Sequence, residues 1–172
     1  MKYKFCTQCG SGLKPKMAGD DGEVPFCYEC NRYWFDSFES CVIVLVYNEF
    51  DVIVVCIQDY ISKVYGTITA GYILPGENAE ETAYREVEEE LGIKLDNLHY
   101  GGTYWFEDGD KLMHAFMAYS PKCELKLSQE VNSAQWVKAT KAHKVLFPDS
   151  PGNAAMGLLK QYVKMKNLQF ED

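Results

Sequence analysis

Residues 71–93, GYILPGENAEETAYREVEEELGI, decide how the rest of the chain is read. Four glutamates, Glu86, Glu88, Glu89 and Glu90, fall within five positions of one expected helix, in a chain whose net charge is already −8. Like charges at helical spacing repel, so these carboxylates either face water or meet cations. Asn78 is placed to cap the helix, Glu81 completes a capping box, and Gly92 suits the C-terminal stop. At about 100° per residue, Ala79, Ala83, Val87 and Leu91 form one apolar stripe. Glu86 and Glu90 border that stripe, Glu89 lies beside Glu86, and Glu88 points away. Three acids thus converge at the edge of a packed surface. Burying several carboxylates in mutual contact raises their pKa values unless cations bind. Mg²⁺ or Mn²⁺, hard ions that take oxygen ligands, answer that need. Arg85 can hold a neighbouring carboxylate such as Glu77. The competing reading of the run is a solvated acidic face.

Upstream, CVIVLVY and DVIVVCIQ are β-branched runs separated by Asn48, Glu49 and Phe50, a hairpin pattern. A third short strand is expected over 64–69. Downstream, HYGGTYWF and LMHAFMAY read as strands joined by the polar turn 107–110, and SAQWV as another. The segment 151–166 carries Ala154, Ala155, Leu158, Leu159, Tyr162 and Val163 at helical spacing. The fold class expected is α+β, a mixed domain over 39–172 behind a small module over 1–38.

That module holds CTQC and CYEC, with Cys6, Cys9, Cys27 and Cys30 spaced C-x2-C-x17-C-x2-C. The spacing fits a closed four-thiolate Zn²⁺ site, in which each C-x-x-C turn presents two sulfurs to one ion. A segment so short buries little core unaided, so the metal supplies folding energy. Cys41, Cys56 and Cys123 sit in apolar contexts and are expected to be buried small hydrophobes.

Hydrophobic residues make up 47% of the 172, enough for a packed core. No apolar run approaches the roughly 20 residues that span a bilayer, and MKYKFCTQCG lacks the apolar region of a signal peptide. A soluble, cytoplasmic protein with no membrane partner is expected. The excess of 25 acidic over 17 basic residues argues against broad nucleic-acid binding. It leaves phosphorylated substrates open, because bound metal inverts local charge.

The acidic helix and its lead-in resemble the Nudix box, G-x5-E-x7-R-E-U-x-E-E-x-G-U, at Gly71, Glu77, Arg85, Glu86, Val87, Glu89, Glu90, Gly92 and Ile93. The resemblance implies an α/β/α sandwich around a mixed sheet and water attack on a nucleotide-linked diphosphate. It implies Glu86, Glu89 and Glu90 as Mg²⁺ or Mn²⁺ ligands, joined by the Ala70 carbonyl, with Glu77 and Arg85 orienting them. A four-cysteine ribbon ahead of such a domain is the layout of the NADH diphosphatase subgroup, and LMHAFMAY, AQW and SPGNAA follow that subgroup's order. By that likeness Glu130 completes the metal site and Ala155 contacts substrate. The subgroup's proline-rich S-Q-P-W-P-F-P is replaced by TYWFEDGD, where Tyr104, Trp105 and Phe106 retain an aromatic wall able to stack a base.

NAD(H) cleaved to NMN(H) and AMP leads as the substrate implied. ADP-ribose or another nucleoside diphosphate derivative is the alternative, and a non-catalytic nucleotide-sensing module is the competing class. NAD-capped RNA belongs to the subgroup's activities, but the acidic balance lends it no support. A homodimer is suggested by the resemblance alone.

Overall fold

The computed structural model describes residues 3–171; the outer bounds of the two expected modules, residues 1 and 172, lie outside the described residues. The chain divides into two compact units, Met1–Phe38 and Glu39–Asp172.

In the first unit, β1 (Lys14–Met17), β2 (Glu23–Cys27) and β3 (Arg32–Tyr33) form an antiparallel sheet in that order. Among the described residues its buried side chains are few, Val24, Pro25 and Phe26 with Cys6 and Cys27. Lys16 lies over the Phe26 ring, its ammonium 3.7 Å from the centroid.

The second unit is built on β4 (Glu39–Tyr47), β5 (Val52–Ile57), β6 (Thr69–Tyr72), β7 (His99–Phe106), β8 (Lys111–Tyr119) and β9 (Ser133–Lys138). The strand order is β7-β8-β4-β5-β9, with β6 also paired to β4. β4 runs parallel to β8, while its pairings with β5 and β6 are antiparallel, so the sheet is mixed.

Alternation along the strands divides the core. Val42, Val44, Val46, Val54 and Cys56 face helix α1 (Ala79–Leu91), whose Ala83, Val87 and Leu91 they meet. Ile43, Leu45, Ile53 and Val55 face the other way, toward α2 (Ala139–Ala142) and α3 (Ala154–Met165), where they pack with Leu158, Leu159 and Tyr162. This is the α/β/α sandwich around a mixed sheet that the resemblance implies. Among the described residues, no helix is long and apolar enough to cross a membrane.

Three expectations need correction. The third strand lies at Thr69–Tyr72 rather than 64–69. The hydroxyl of Ser62 accepts from the backbone N–H of Val64 and Tyr65, at 3.1 and 2.9 Å, which turns the chain before pairing begins. The closing helix starts at Ala154, since Gly152 has φ +79° and Asn153 takes the cap. Cys123 is exposed, whereas Cys41 and Cys56 are buried. It lies past the end of β8, in a segment that leaves the sheet at Ser120 and Pro121.

Candidate active site

The capping box of α1 forms as read: Asn78 accepts from the Glu81 N–H at 2.8 Å, and Glu81 accepts from the Asn78 N–H at 2.9 Å. Gly92 ends the helix in the left-handed region, φ +68°. With its rotation fixed by the buried stripe, α1 carries Glu90 into the interior at 3% exposure, half-buries Glu86, and leaves Glu88 and Glu89 in solvent.

Arg85 organises the rim. Its Nε and Nη2 donate to the two oxygens of Glu77 at 2.8 and 3.0 Å. Nη1 reaches Glu86 at 2.7 Å and Glu89 at 2.9 Å, and Nη2 also donates to the Tyr72 carbonyl at 3.1 Å. The hydrogen bonds from Arg85 and then Thr82 hold the Glu77 carboxyl down to about 2. Gly71 explains the first position of the motif. A Cβ there would stand 1.9 Å from Glu86 Oε1, so the carboxylate packs on bare backbone.

Glu90 is held differently. Its Oε1 accepts from the side-chain Nε2 of Gln58 at 2.8 Å, while Oε2 is buried without a hydrogen bond of regular geometry among the described residues, the Thr69 hydroxyl, itself buried and unpaired, adding only a weak pull toward the charged form. Burial, and then the charge of Glu86, push the Glu90 carboxyl up to about 7. Burial also raises Glu86 against the opposing pull of Arg85, with Glu89 and Glu130 adding like charge. An orphaned, buried carboxylate oxygen in an acidic cluster is the donor set a hard divalent ion needs. The residues therefore fit Mg²⁺ or Mn²⁺, although among the described residues their oxygens do not converge as closely as the four cysteine sulfurs do. Glu130 is exposed in the segment between β8 and β9, and its charge is felt at Glu86, Glu90 and Tyr60.

A cleft of about 650 Å³ opens beside this rim, lined by Ala70 and Gly71 of β6 and by Tyr60, Tyr72, Phe106 and Ala155 among others. Gly71 thus touches both the cleft and the Glu86 carboxylate. Of the aromatic trio, Phe106 lines the cleft and Trp105 is not among its walls. Tyr104 turns to α3, where its hydroxyl accepts from Gln161 Nε2 at 2.7 Å and its ring fills the space beside Gly157. The residues missed in the sequence are Gln58, Tyr60, Tyr72 and Lys111, the last being the one charged side chain lining the cleft among the described residues. For Gln58 a signal exists: period-two alternation from Val54 and Cys56 puts it on the α1 face.

In the first unit, the Sγ atoms of Cys6, Cys9, Cys27 and Cys30 all lie within 4.8 Å of one another. The Cys9–Cys27 pair is 3.5 Å apart and the Cys6–Cys30 pair 3.9 Å. Tetrahedral thiolates at about 2.3 Å from one ion would be about 3.8 Å apart. The Cys30 N–H also points at Cys27 Sγ, 3.4 Å away. The four cysteines fit a thiolate metal centre.

Residues 38–156 match the NUDIX domain family. Over 170 residues the chain is 29% identical to the NAD-capped RNA hydrolase NudC of Klebsiella pneumoniae, an alignment covering 98% of this chain and 63% of that protein. Over 136 residues it is 29% identical to NudC of Photobacterium profundum, covering 78% and 50%. The chain therefore spans half to just under two thirds of the length of these curated relatives. Among solved structures, a NUDIX hydrolase from Nitrosomonas europaea superposes with TM-score 0.75 at 16% identity, over 98% of this chain and 97% of that one. The NUDIX domain of Shewanella oneidensis NrtR, complexed with ADP ribose, superposes with TM-score 0.65 at 12% identity, over 77% and 90%. Both likenesses concern the fold.

Proposed function

The chain belongs to the Nudix family, and from that premise we propose that it hydrolyses the diphosphate linkage of a nucleotide derivative, NAD(H) to NMN(H) and AMP first among the candidates. The observation that carries this reading is the Glu90 carboxylate, buried, flanked by Glu86, and left with one unpartnered oxygen. A sensor that only bound nucleotide would have no need of so strained a group.

Glu86, Glu89 and Glu90 would hold Mg²⁺ or Mn²⁺, with the Ala70 carbonyl and Glu130 completing the set. When bound, such ions offset the charge of the diphosphate and make water a better nucleophile. Arg85, fixed by Glu77, keeps Glu86 and Glu89 aimed at one region. Gly71 lets the Glu86 carboxylate lie against the cleft wall. In the reaction, water oxygen joins one phosphorus and the bridging oxygen leaves with the other phosphate. The cleft volume is within the range of sites that enclose a nucleotide-sized ligand. Phe106 and Ala155 are assigned to its substrate wall, along with Tyr60 and Tyr72. Cys6, Cys9, Cys27 and Cys30 are assigned a structural Zn²⁺.

NudC of K. pneumoniae, by its name an NAD-capped RNA hydrolase, supports an NAD-type substrate. The ADP ribose bound to the NrtR domain supports ADP-ribose as the second candidate. The test is a hydrolysis screen with Mg²⁺ or Mn²⁺ over NADH, NAD⁺, ADP-ribose, diadenosine polyphosphates and nucleoside triphosphates, with products identified by mass. NADH is expected to yield NMNH and AMP, and Glu90→Gln to lower kcat by at least about 10²-fold with the fold retained. Full activity in Glu90→Gln, or no diphosphate cleaved under any condition, contradicts the reading.

A further inference from the structure

Gln58 follows β5 and is buried at 3% exposure. Its Nε2 donates to Glu90 Oε1 at 2.8 Å. The ionised carboxylate that a divalent ion requires only accepts, so in that state the amide presents its NH₂. The last torsion of a glutamate is soft and roughly two-fold, so packing alone does not fix which way the carboxylate plane faces. The bond from Gln58 fixes it, and leaves Oε2 as the oxygen without a partner. The Gln58 backbone carbonyl meanwhile accepts from the N–H groups of Ile61 and Ser62, at 2.8 and 3.0 Å. That turn carries Tyr60 and Ile61, both of which line the cleft. A single residue therefore joins the buried carboxylate to the loop that walls the substrate space.

We propose that Gln58 is a positioning residue that sets the orientation of the Glu90 carboxylate and thereby the divalent-ion affinity of the site. This rests on reading the α1 carboxylates as ion ligands. Removing the donor releases the carboxylate plane, so the ion must first reorder its ligand. Hydrogen-bonding partners of metal ligands are worth about 10–100-fold in metal affinity.

The test is an electron paramagnetic resonance titration of the full chain with Mn²⁺ alone, comparing wild type with Gln58→Met, which keeps the volume and loses the donor. A rise in Kd of about tenfold or more is expected, together with an equal rise in the Mg²⁺ concentration needed for half-maximal hydrolysis. The KM for the nucleotide at saturating Mg²⁺ is expected to stay within about twofold, because the cleft loop hangs on the backbone carbonyl. In a Glu90→Gln background, Gln58→Met should add nothing further. Unchanged Mn²⁺ affinity with a lowered Tm would make Gln58 a packing residue and overturn the proposal. No Mn²⁺ binding by wild type would instead sink the reading of the carboxylates themselves. If Gln58→Met does not fold, Gln58→Ala is read the same way. The wild type offers an independent check. Its Gln58 side-chain NH₂ resonances should shift on Mg²⁺ binding, and resonances unmoved at saturation would also overturn the proposal.

Discussion

At Glu90 the carboxyl is pushed from 4.5 up to about 7 by burial and by Glu86. Without metal, the folded protein binds a proton at Glu90 between those two values that the unfolded chain has already lost. Stability from this group is therefore full below about 4.5 and lost as pH rises through about 7. Thermal melts in a chelator should show Tm falling across that window, and Mg²⁺ should restore it most at the alkaline end. A metal-free Tm that rises steadily from pH 5 to pH 7 would contradict the environment assigned to Glu90. Gly71→Ala is the sharpest steric test, because the new Cβ meets the Glu86 carboxylate at 1.9 Å. Because the atoms met are the tip of a flexible side chain that can swing aside, it should cost under about 1 kcal/mol of stability yet lower kcat by about 10²-fold by displacing Glu86, read by denaturant melts and initial rates. The placement of Glu86 and Glu90 against the buried stripe was legible in the sequence because it follows from spacing on one helix. Gln58 was not, since its meeting with Glu90, 32 residues away, exists only once β5 and α1 pack on the same face.

The element that organises the site is α1, whose ends carry their own punctuation. Asn78→Ala removes one acceptor from a complete capping box and should cost about 1 kcal/mol. Urea melts should detect that loss with an unchanged m-value. The helix was readable to the residue because Asn78, Glu81 and Gly92 each act through local hydrogen bonds or local φ. The strands were readable as runs of β-branched residues, but their bounds were set elsewhere. β6 begins where pairing with Val44 becomes available, and Ser62 holds the preceding turn. Helix α2, four residues with no side-chain cap, gave no periodic signal at all. Tyr104 and Phe106 share one strand and one parity, yet one meets α3 and the other the cleft. Both lie on the face that α3 covers, Tyr104 against Gly157 within the helix and Phe106 near Gly152 before it, so which one meets the cleft depends on where α3 begins across the sheet and not on local composition.

At the scale of the molecule, two units rest on different physics. The Glu39–Asp172 unit has a two-sided hydrophobic core, whereas the described residues of the Met1–Phe38 unit bury little besides Val24, Pro25, Phe26 and two cysteines. Removing the Zn²⁺ proposed at the four cysteines with a thiolate-competing chelator should therefore abolish hydrogen-exchange protection in β1–β3 while β4, β5 and β8 stay protected. Loss of protection in both units at the same chelator concentration would contradict that division. The two C-x-x-C pairs and the nine motif positions after them were visible in the sequence, while the walls of the cleft were not, because it is assembled from β4, β6, β7, β8, the Tyr60–Ile61 turn and the start of α3 with the segment before it. The central claim is that the α1 carboxylates bind divalent ions beside that cleft. It is tested most directly by an anomalous-difference map from a crystal soaked in Mn²⁺ and recorded at the manganese edge. The account predicts a peak bonded to Oε2 of Glu90 and shared with Glu86 or Glu89; a map with no manganese on α1 would contradict it.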